Sequence, residues 1–566
     1  MTPLDWAVWF GTLGAFVAYG IWRGRATRDL TGYLVAGRSM PWPAVALSVM
    51  ATQASAITFL STPGQGFADG LRFVQFYFGL PLAMVVLCVT AIPIYHRLKV
   101  FTAYEYLERR FDAKTRTLAS SLFLLQRGLA AGLTIYAPAL ILSVLLGWDV
   151  RWVCVLLGGL VAVATAWGGS RAVTHSHFLQ FSIIMATMVL AFALVVRSLP
   201  PGVGWLDATA LAGRLGKLNA LNVAFDPDDR YNLWSGLIGG FFLQLSYFGT
   251  DQSQVGRYLC GQSVAQSRLG LLFNGLFKIP MQFGILFLGI MVFAFYLFAP
   301  APLFHNPVEA RRVAAGPHGV EWQALEARHA GAAEMRAEAA RDYVAARRDA
   351  DERAIEAAGR TLESAQREIG EVRVQATELI RATDPGAQTS DTNYIFLGYV
   401  LRYLPVGIVG LVLACIFAAS MNSTSSELNA LASTTVVDVY KRLHRGDTDR
   451  HEVKVSRFAT LGWTAFAVAF AEYASRLGSL IEAVNILGSL FYGTILGIFL
   501  TAFLLPRVGG TPVFVGALVA QVTVLACFRL TGISFLWYNL IGCAVVMVVG
   551  RVLSVGRARP AAATRT

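Results

Sequence analysis

Charged residues are scarce in this 566-residue chain: they make up 14% of it, while hydrophobic residues make up 55% and the mean hydropathy is +0.54. About a quarter of an ordinary soluble chain is charged, so this composition excludes a typical soluble enzyme. The formal net charge of +12 does not indicate a nucleic-acid partner. Many of the basic residues lie in short loops between apolar segments, where they report membrane topology.

The motifs of common catalytic and metal chemistries are missing as well. The sequence has no glycine-rich phosphate loop of the nucleotide-binding type, no histidine pair at metal-ligand spacing, and no nucleophile with an associated base. The six cysteines lie in or beside apolar segments, without the paired spacing of a metal site or a disulfide framework. We therefore expect neither an ATP-driven pump nor a membrane hydrolase, and no enzyme.

Long hydrophobic runs are what the sequence has instead. Runs of about 20 apolar residues recur roughly a dozen times, which predicts an all-α polytopic membrane protein with about 13 transmembrane helices. The first run begins almost at the start of the chain and has no basic region before it, so we expect a retained helix with its N-terminus outside. An odd number of spans puts the C-terminus in the cytoplasm, and the basic loops 97–116 and 441–457 agree. We expect a multi-pass protein of the plasma membrane, in a bacterium the inner membrane.

The patterning divides the chain into four parts. They are residues 1–300 with spans one to eight, an extracytoplasmic charged insert at 301–392, residues 393–556 with spans nine to thirteen, and a short cytoplasmic tail at 557–566. Apolar or alanine residues recur in the insert every three or four positions, as in a coiled-coil seam: Ile355, Ala358, Leu362, Ala365, Ile369, Val372, Ala376 and Leu379. We interpret the insert as a solvated helical hairpin that packs on itself. Contact with a partner or with a second copy of the chain is the alternative.

Two predicted spans are interrupted. The second span, from Trp42 to about Gly66, contains the run ATQASAIT followed by Pro63 and Gly64; the seventh, Leu233 to about Leu259, contains SYFGTDQ. Irregular backbone at membrane depth is tolerated only where it is buried in protein or lines a cavity. Two interrupted helices five spans apart match the inverted repeats of a secondary transporter, whose solute binds between the broken helices.

A run of polar side chains lies inside the predicted ninth span. Hydroxyl and amide groups follow one another from Ser420 through Asn422 to Ser426. Such oxygens suit a hard cation such as Na⁺ and avoid the full cost of a buried carboxylate. The alternative is that these small residues only allow neighbouring helices to pack closely.

These segments resemble the sodium:solute symporter family. The resemblance is carried by four segments, 51–60 (ATQASAITFL), 101–111 (FTAYEYLERRF), 135–142 (IYAPALIL) and 428–432 (LNALA), the last of which leads into Asp438-Val-Tyr. It covers nearly the whole chain apart from the insert and looks closest to the branch of the iodide, monocarboxylate and multivitamin transporters. It implies a LeuT-type core of five plus five inverted-repeat helices, with one extra helix before it and two after it.

The resemblance also implies ion sites. The family's main sodium site falls on the backbone carbonyls of Ala51, Ala54 and Ala419 and on the side chains of Asn422 and Ser423. Asn422 stands where the family usually has serine, and an amide oxygen can still bind Na⁺.

A second sodium site, present in some members, requires an aspartate together with serines that align with Ser425 and Ser426. The aspartate position falls on His177, and imidazole is a poor ligand for Na⁺, so we expect one sodium ion per cycle. His177 could instead carry a proton, or be an ordinary hydrogen-bonded histidine.

The solute cavity is predicted from the residues and from the resemblance together. Lys278 lies in the middle of a span, where an unpaired ammonium is costly, so it should have a partner in the bundle or lie on the solute path. The resemblance implies solute-contacting or gating positions at Gln244, Tyr247 and Asp251 on the seventh span, and Thr58, Tyr77 and Asn485 are candidates on the opposite wall. For the aromatic residues, ordinary packing is the alternative.

The sequence thus predicts a sodium-coupled symporter that imports a small polar or anionic organic solute by alternating access. Na⁺ is the expected coupling ion, the lipid bilayer the surroundings, and nucleic acid is not an expected partner. Two alternatives stay open at this point. One is a proton-coupled symporter that uses His177; the other is a transporter-derived sensor whose insert binds a partner.

Overall fold

A computed structural model describes residues 1–24, 35–444, 448–474, 477 and 479–555. Within those ranges the named elements are all helical, and eight stretches are long and apolar enough to cross a membrane. The predicted tail at 557–566 lies outside the described residues. The all-helical prediction is therefore confirmed, while the count of 13 spans remains a prediction.

The helices are numbered here in chain order. Those before the insert are α1 (Pro3–Gly24), α2 (Trp42–Gln53), α3 (Ala56–Asp69), α4 (Leu80–Val89), α5 (Ala91–Leu98), α6 (Tyr104–Arg110), α7 (Ala113–Leu146), α8 (Val150–Arg197), α9 (Trp205–Arg214), α10 (Gly240–Thr250), α11 (Gln252–Tyr258) and α12 (Val264–Tyr296). The insert and its exit contain α13 (Pro307–Ala314), α14 (Gly319–Arg348), α15 (Glu352–Thr383) and α16 (Thr392–Tyr403). The last membrane helices are α17 (Ile408–Thr434), α18 (Asp449–Ala474), α19 (Leu480–Leu504), α20 (Gly510–Leu530) and α21 (Phe535–Val552).

Both predicted interruptions are present. The second span divides into α2 and α3 at Ala54 and Ser55, whose ψ angles of 77° and 176° are not helical. The seventh divides into α10 and α11 at Asp251, where ψ is 117°. Asp251 begins α11 as its N-cap, because its carboxylate accepts a hydrogen bond from the backbone N–H of Ser253 at 2.9 Å. The chain therefore has non-helical backbone at two places inside its helical bundle.

Two predicted spans fall within the bounds of one helical element. The segments 152–167 and 178–196, predicted as separate spans, both lie in α8, where Val150–Ala166 and His177–Arg197 are distinct apolar stretches. No proline falls between residues 150 and 197 to stop the helix. Apolar runs report hydrophobic length and not backbone continuity. The sequence pattern alone therefore does not distinguish two separate helices from a single helical element.

The extra first helix is fixed to α17. The Asp5 carboxylate accepts a hydrogen bond from the backbone N–H of Gly407 at 2.7 Å, just before α17 begins. Trp9 lies edge-on to Phe417, with ring centroids 5.3 Å apart. Helix α1 is thus packed against the helix that carries the predicted sodium residues.

The segments that carry the family resemblance contact one another at one end of the bundle. Thr102 donates a hydrogen bond to the Asp438 carboxylate at 3.0 Å, and Arg116 pairs with the same carboxylate at 2.6 Å. Tyr104 donates to the carbonyl of Thr250, at the break in the seventh span, at 2.8 Å. These motif residues therefore hold helices together rather than line a cavity.

The insert folds as a hairpin of α14 and α15 and also docks on the membrane helices. The predicted seam of α15 is buried, with Leu362, Val372 and Ala376 fully covered. Leu362 belongs to an apolar cluster that also contains Leu211 of α9 and Phe293 of α12. The interpretation of a helical hairpin that packs on itself agrees with this geometry. Its apolar face also covers the ends of α9 and α12, a contact that the sequence analysis did not predict.

Candidate solute and sodium site

One internal cavity lies between the two helix breaks, with about 80 Å³ open to the centres of water molecules. Six of the seven predicted solute residues line it: Thr58, Tyr77, Gln244, Tyr247, Lys278 and Asn485. They come from α3, the turn at 70–77, α10, α12 and α19, so segments far apart in the sequence meet at one place. Because α2, α3 and α10 meet here, the cavity occupies the position that inverted-repeat transporters use for their solute.

Lys278 is the cationic side chain of this cavity that has no counter-ion. Its side chain is fully buried, and among the described contacts it has neither a hydrogen bond nor an ion pair. The ammonium lies 5.7 Å from the centroid of the Tyr77 ring, a cation–π distance. Of the two readings of Lys278, a partner in the bundle or a place on the solute path, the described contacts fit the second, and the ammonium is available to an anion in the cavity.

The opposite wall is built around Tyr247 and Gln244. The Tyr247 hydroxyl accepts a hydrogen bond from the Gln254 amide of α11 at 2.6 Å, which spans the break in the seventh helix. The Gln244 side-chain oxygen is buried without a partner. The Asn485 amide nitrogen already donates a hydrogen bond to the Ile481 carbonyl, one turn earlier, at 2.7 Å. Gln244 thus has free hydrogen-bonding capacity toward the cavity, and the Asn485 amide nitrogen has less.

Asp251 does not line the cavity, but it belongs to a buried ion network whose other members do. Arg127 of α7 forms an ion pair with Asp251 and a second with Glu427 of α17 at 3.1 Å. Tyr492 of α19 joins both, since its hydroxyl donates to Asp251 at 2.9 Å and accepts from Arg127 at 2.6 Å. Helices α7, α17 and α19 are therefore tied to the break of the seventh span.

Sequence reasoning missed Arg127 and Glu427, which both line the cavity. The signal was present, because each is an ionisable residue inside an apolar span, the same anomaly that singled out Lys278. The Glu427 Oε2 atom has no partner and Arg127 lies 5.5 Å from the Tyr247 ring. The lining thus contains two cations and one carboxylate.

The predicted sodium residues flank the break in the second span. Ser423 donates a hydrogen bond to the Thr52 carbonyl at 2.7 Å, so α17 and the end of α2 are in direct contact. The carbonyl involved is that of Thr52, between the predicted Ala51 and Ala54. Ala51, Ala54 and Ala419 are buried, as are the side chains of Asn422 and Ser423. This set of hydroxyl, amide and backbone oxygens fits Na⁺ in its chemistry.

The residues of the predicted second ion position have other partners. His177 is fully buried, with Nδ1 3.2 Å from the Ser48 hydroxyl and Nε2 unpartnered. Ser425 accepts a hydrogen bond from Thr165 at 3.0 Å, and Ser426 lies 3.1 Å from the Thr52 hydroxyl. No described hydrogen bond joins His177 to either serine. This geometry matches the reading of His177 as an ordinary hydrogen-bonded histidine.

The sequence is similar to those of known transport proteins. The family model described as "Sodium:solute symporter family" matches residues 33–319 and 374–521. The human sodium-coupled monocarboxylate transporter 1 is 26% identical over 521 residues, covering 90% of this chain and 71% of that protein. The sodium/sialic acid symporter NanT of Aliivibrio fischeri is 23% identical over 560 residues, covering 97% and 92%.

A solved structure shares the fold. It is described as the substrate-bound outward-open state of a Na⁺-coupled sialic acid symporter and covers 99% of both chains, with a TM-score of 0.76 at 22% identity. The segment that the family model leaves unmatched, 320–373, comprises nearly all of α14 and most of α15. The predicted transporter fold is thus confirmed for the membrane part, and the insert hairpin is peculiar to this chain relative to the family model.

Proposed function

The chain belongs to the sodium:solute symporter family, and we propose that its solute is a small monocarboxylate imported together with one sodium ion. The protein is a sodium-coupled solute importer, not an enzyme, and it resides in a membrane. The family assignment does not favour the sensor and proton-coupled alternatives. What the proposal adds is the class of solute, its site and the stoichiometry.

The unpaired ammonium of Lys278 in the central cavity is the observation that supports an anionic solute. A buried charge without a partner is costly in a membrane protein, and a bound carboxylate would supply the missing counter-charge. Arg127, by contrast, already has Asp251 and Glu427 as counter-ions. A neutral solute such as a sugar would accept a hydrogen bond from Lys278 but would supply no counter-charge.

The size of the cavity supports a small solute. One water needs about 10–15 Å³ of this kind of volume, so 80 Å³ corresponds to about five to eight water-sized groups. Monocarboxylates of three or four carbons, such as pyruvate, lactate and butyrate, have about that many non-hydrogen atoms. The name of the human relative, a sodium-coupled monocarboxylate transporter, agrees with this class.

We assign the sodium position to the break between α2 and α3, opposite Asn422 and Ser423. Thr52 and Ser423 line the central cavity as well as contacting each other, so ion and solute would share one set of walls. Sodium binding there would hold α17 against the broken span and complete the solute site, which is how one ligand raises the affinity of the other. Alternating access would then expose the loaded site to the cytoplasm.

The stoichiometry and topology follow from the same residues. Because His177 replaces a carboxylate ligand and is hydrogen-bonded to Ser48, one sodium ion per cycle is proposed. One cation with one monovalent anion makes the cycle electroneutral, so membrane voltage would not drive uptake. We further propose 13 spans, an outside N-terminus, a cytoplasmic C-terminus, an extracytoplasmic insert and residence in a bacterial inner membrane.

Uptake into proteoliposomes tests this proposal. Radiolabelled pyruvate, lactate, alanine, glucose and sialic acid are offered with an inward Na⁺ gradient, and with a choline gradient as the control. Accumulation of pyruvate or lactate only with Na⁺, unchanged by an imposed potential, is the expected result. Accumulation of a neutral solute without any carboxylate uptake would refute the proposed solute class.

A further inference from the structure

A second cavity lies outside the membrane core, where the insert meets the ends of α3 and α12, with about 490 Å³ open to the centres of water molecules. Its walls come from both parts of the chain. Phe67 and Ala68 end α3, Phe293 and Tyr296 end α12, and the insert contributes residues of α14 and α15. This pocket plays no part in the site described above.

Two cations in its wall have no carboxylate as an ion-pair partner among the described residues. Arg336 of α14 is buried and donates to the Tyr296 carbonyl at 2.7 Å and to the Gln366 amide oxygen at 2.9 Å, while its Nε has no partner. Lys217 donates to the Ala68 carbonyl at 2.5 Å, and its ammonium lies 4.8 Å from the Phe293 ring. Both cations thus donate only to neutral acceptors, and the nearby Asp69 carboxylate offsets the charge of Lys217 only in part.

The other charged groups do not cancel this excess. Arg373 is satisfied by a bidentate ion pair with the buried Asp391 at 2.9 Å, and Arg381 and Glu378 stand exposed at the rim. Burial lowers the pKa of Lys217 to about 8, against the opposing effect of the nearby Asp69. Lys217 therefore remains largely protonated at neutral pH, and an anion in the pocket would stabilise its charge.

Two histidines add neutral hydrogen-bonding groups. Burial lowers the pKa of His305 and of His329 to about 4, so both imidazoles are neutral at pH 7. The Nε2 atom of His305 is buried and unpartnered, although its ring packs edge-on against Phe67 and Tyr296. A buried polar atom without a partner beside a cavity points to a missing ligand or water.

The walls also include broad apolar surfaces. Phe67, Phe293, Ile369 and Ile395 line the pocket beside its polar groups. A bare inorganic anion would touch only the cations and leave this apolar lining unused. A ligand with a carboxylate at one end and an apolar body at the other would use both.

We infer that this outer pocket, bounded by Arg336, Lys217, His305, His329 and the apolar ends of α3 and α12, is a second binding site that takes an organic carboxylate. The inference does not rest on the proposed transport function. Arg336 and His329 belong to segment 320–373, which the family model leaves unmatched, so one wall of the site is built from what this chain adds to the family model. Because α3 is the outer half of the broken second span, an occupied pocket joins the insert to a helix of the transport core.

Calorimetric titration of the purified full-length protein tests the inference. The titration uses sodium-free buffer and a Lys278→Met background, which disables the central cavity. The probes are benzoate, its neutral isostere benzamide, succinate, and chloride and sulfate at equal ionic strength. We expect benzoate or succinate to bind and benzamide to bind at least tenfold more weakly.

Three substitutions in the same background locate the site. Arg336→Gln and Lys217→Gln should each weaken carboxylate binding at least tenfold, while Arg328→Gln, an exposed arginine on the same helix that pairs with Glu368, should leave it unchanged. Lys217 is only half-buried, so Lys217→Gln should fold. This variant tests the site if Arg336→Gln does not fold. Unchanged binding in Lys217→Gln, or equal competition by sulfate and chloride, would overturn the inference.

Discussion

Replacing Lys278 by methionine should change stability and solute binding in opposite directions. The substitution keeps the length and apolar stem of the side chain and removes only the ammonium. In the structure that ammonium is buried, has no counter-ion, and lies 5.7 Å from the Tyr77 ring. A charge in this position costs stability when the cavity holds no anion and contributes affinity when it does.

The magnitudes follow from those two roles. Insertion scales assign lysine at the centre of a membrane helix a cost of about 2.5–3.5 kcal/mol, so removing the charge should stabilise the ligand-free protein by about 1–3 kcal/mol. A hydrogen bond to a charged group contributes about 1.5–3 kcal/mol. Losing it should therefore raise the dissociation constant of a monocarboxylate about 10- to 150-fold.

Thermal unfolding in detergent and solute titration in Na⁺ measure the two effects on the same preparations. Lys278→Arg retains the charge and should keep part of the affinity, whereas Leu276→Met changes a lipid-exposed residue of the same helix and should alter neither quantity. A Lys278→Met protein that melts earlier than the parent, or that binds monocarboxylates with unchanged affinity, would refute the reasoning. The first result would mean that the ammonium has a stabilising role, the second that the solute does not contact it.

Three further predictions concern the ion sites and the buried network. Ser423→Ala removes one predicted Na⁺ ligand and the hydrogen bond to the Thr52 carbonyl. The Na⁺ concentration for half-maximal uptake should therefore rise at least tenfold. The control Ser433→Ala, on the same helix, should leave that concentration unchanged. Arg127→Met leaves the Asp251 and Glu427 carboxylates buried without a cation and should cost about 3–5 kcal/mol of stability, measured by thermal unfolding. Adding Asp251→Asn should recover part of that loss; no recovery would show that the pair is not what holds α7 to the break. His177→Gln should leave the pH profile of uptake between about pH 5.5 and 8 unmoved, and a shifted profile would revive the proton-coupled alternative.

The sequence was sufficient for the features that depend on local pattern. Both helix breaks were predicted, because runs such as ATQASAIT and SYFGTDQ interrupt otherwise apolar spans and are tolerated only at a protein-lined site. The seam of α15 was predicted from its spacing of three and four residues. Of the six cavity residues, Lys278 was predicted as an ionisable side chain inside an apolar span, Gln244 and Tyr247 came from the family resemblance, and Thr58, Tyr77 and Asn485 were candidates on the opposite wall.

The features that could not be predicted from the sequence depend on contacts between distant segments. Arg127, Asp251 and Glu427 are separated by more than a hundred residues each, and no local pattern reports that they pair. The docking of the insert was missed for a related reason, since the seam predicts an apolar face but not that Phe293 and Leu211 share it. The lack of a counter-ion for Lys278 among the described residues is a third feature that the sequence did not predict. It can be recognised only once the neighbouring side chains are placed in the structure.

Binding of pyruvate and lactate to the purified protein in Na⁺ and in choline, at equal ionic strength, tests the central claim most directly. The claim is that one site at the break of the second span links Na⁺ to a monocarboxylate held by Lys278. It predicts binding that requires Na⁺, needs at least tenfold more Na⁺ in Ser423→Ala, and is weakened in Lys278→Met even at saturating Na⁺. Equal affinity for the carboxylate in Na⁺ and in choline would contradict it.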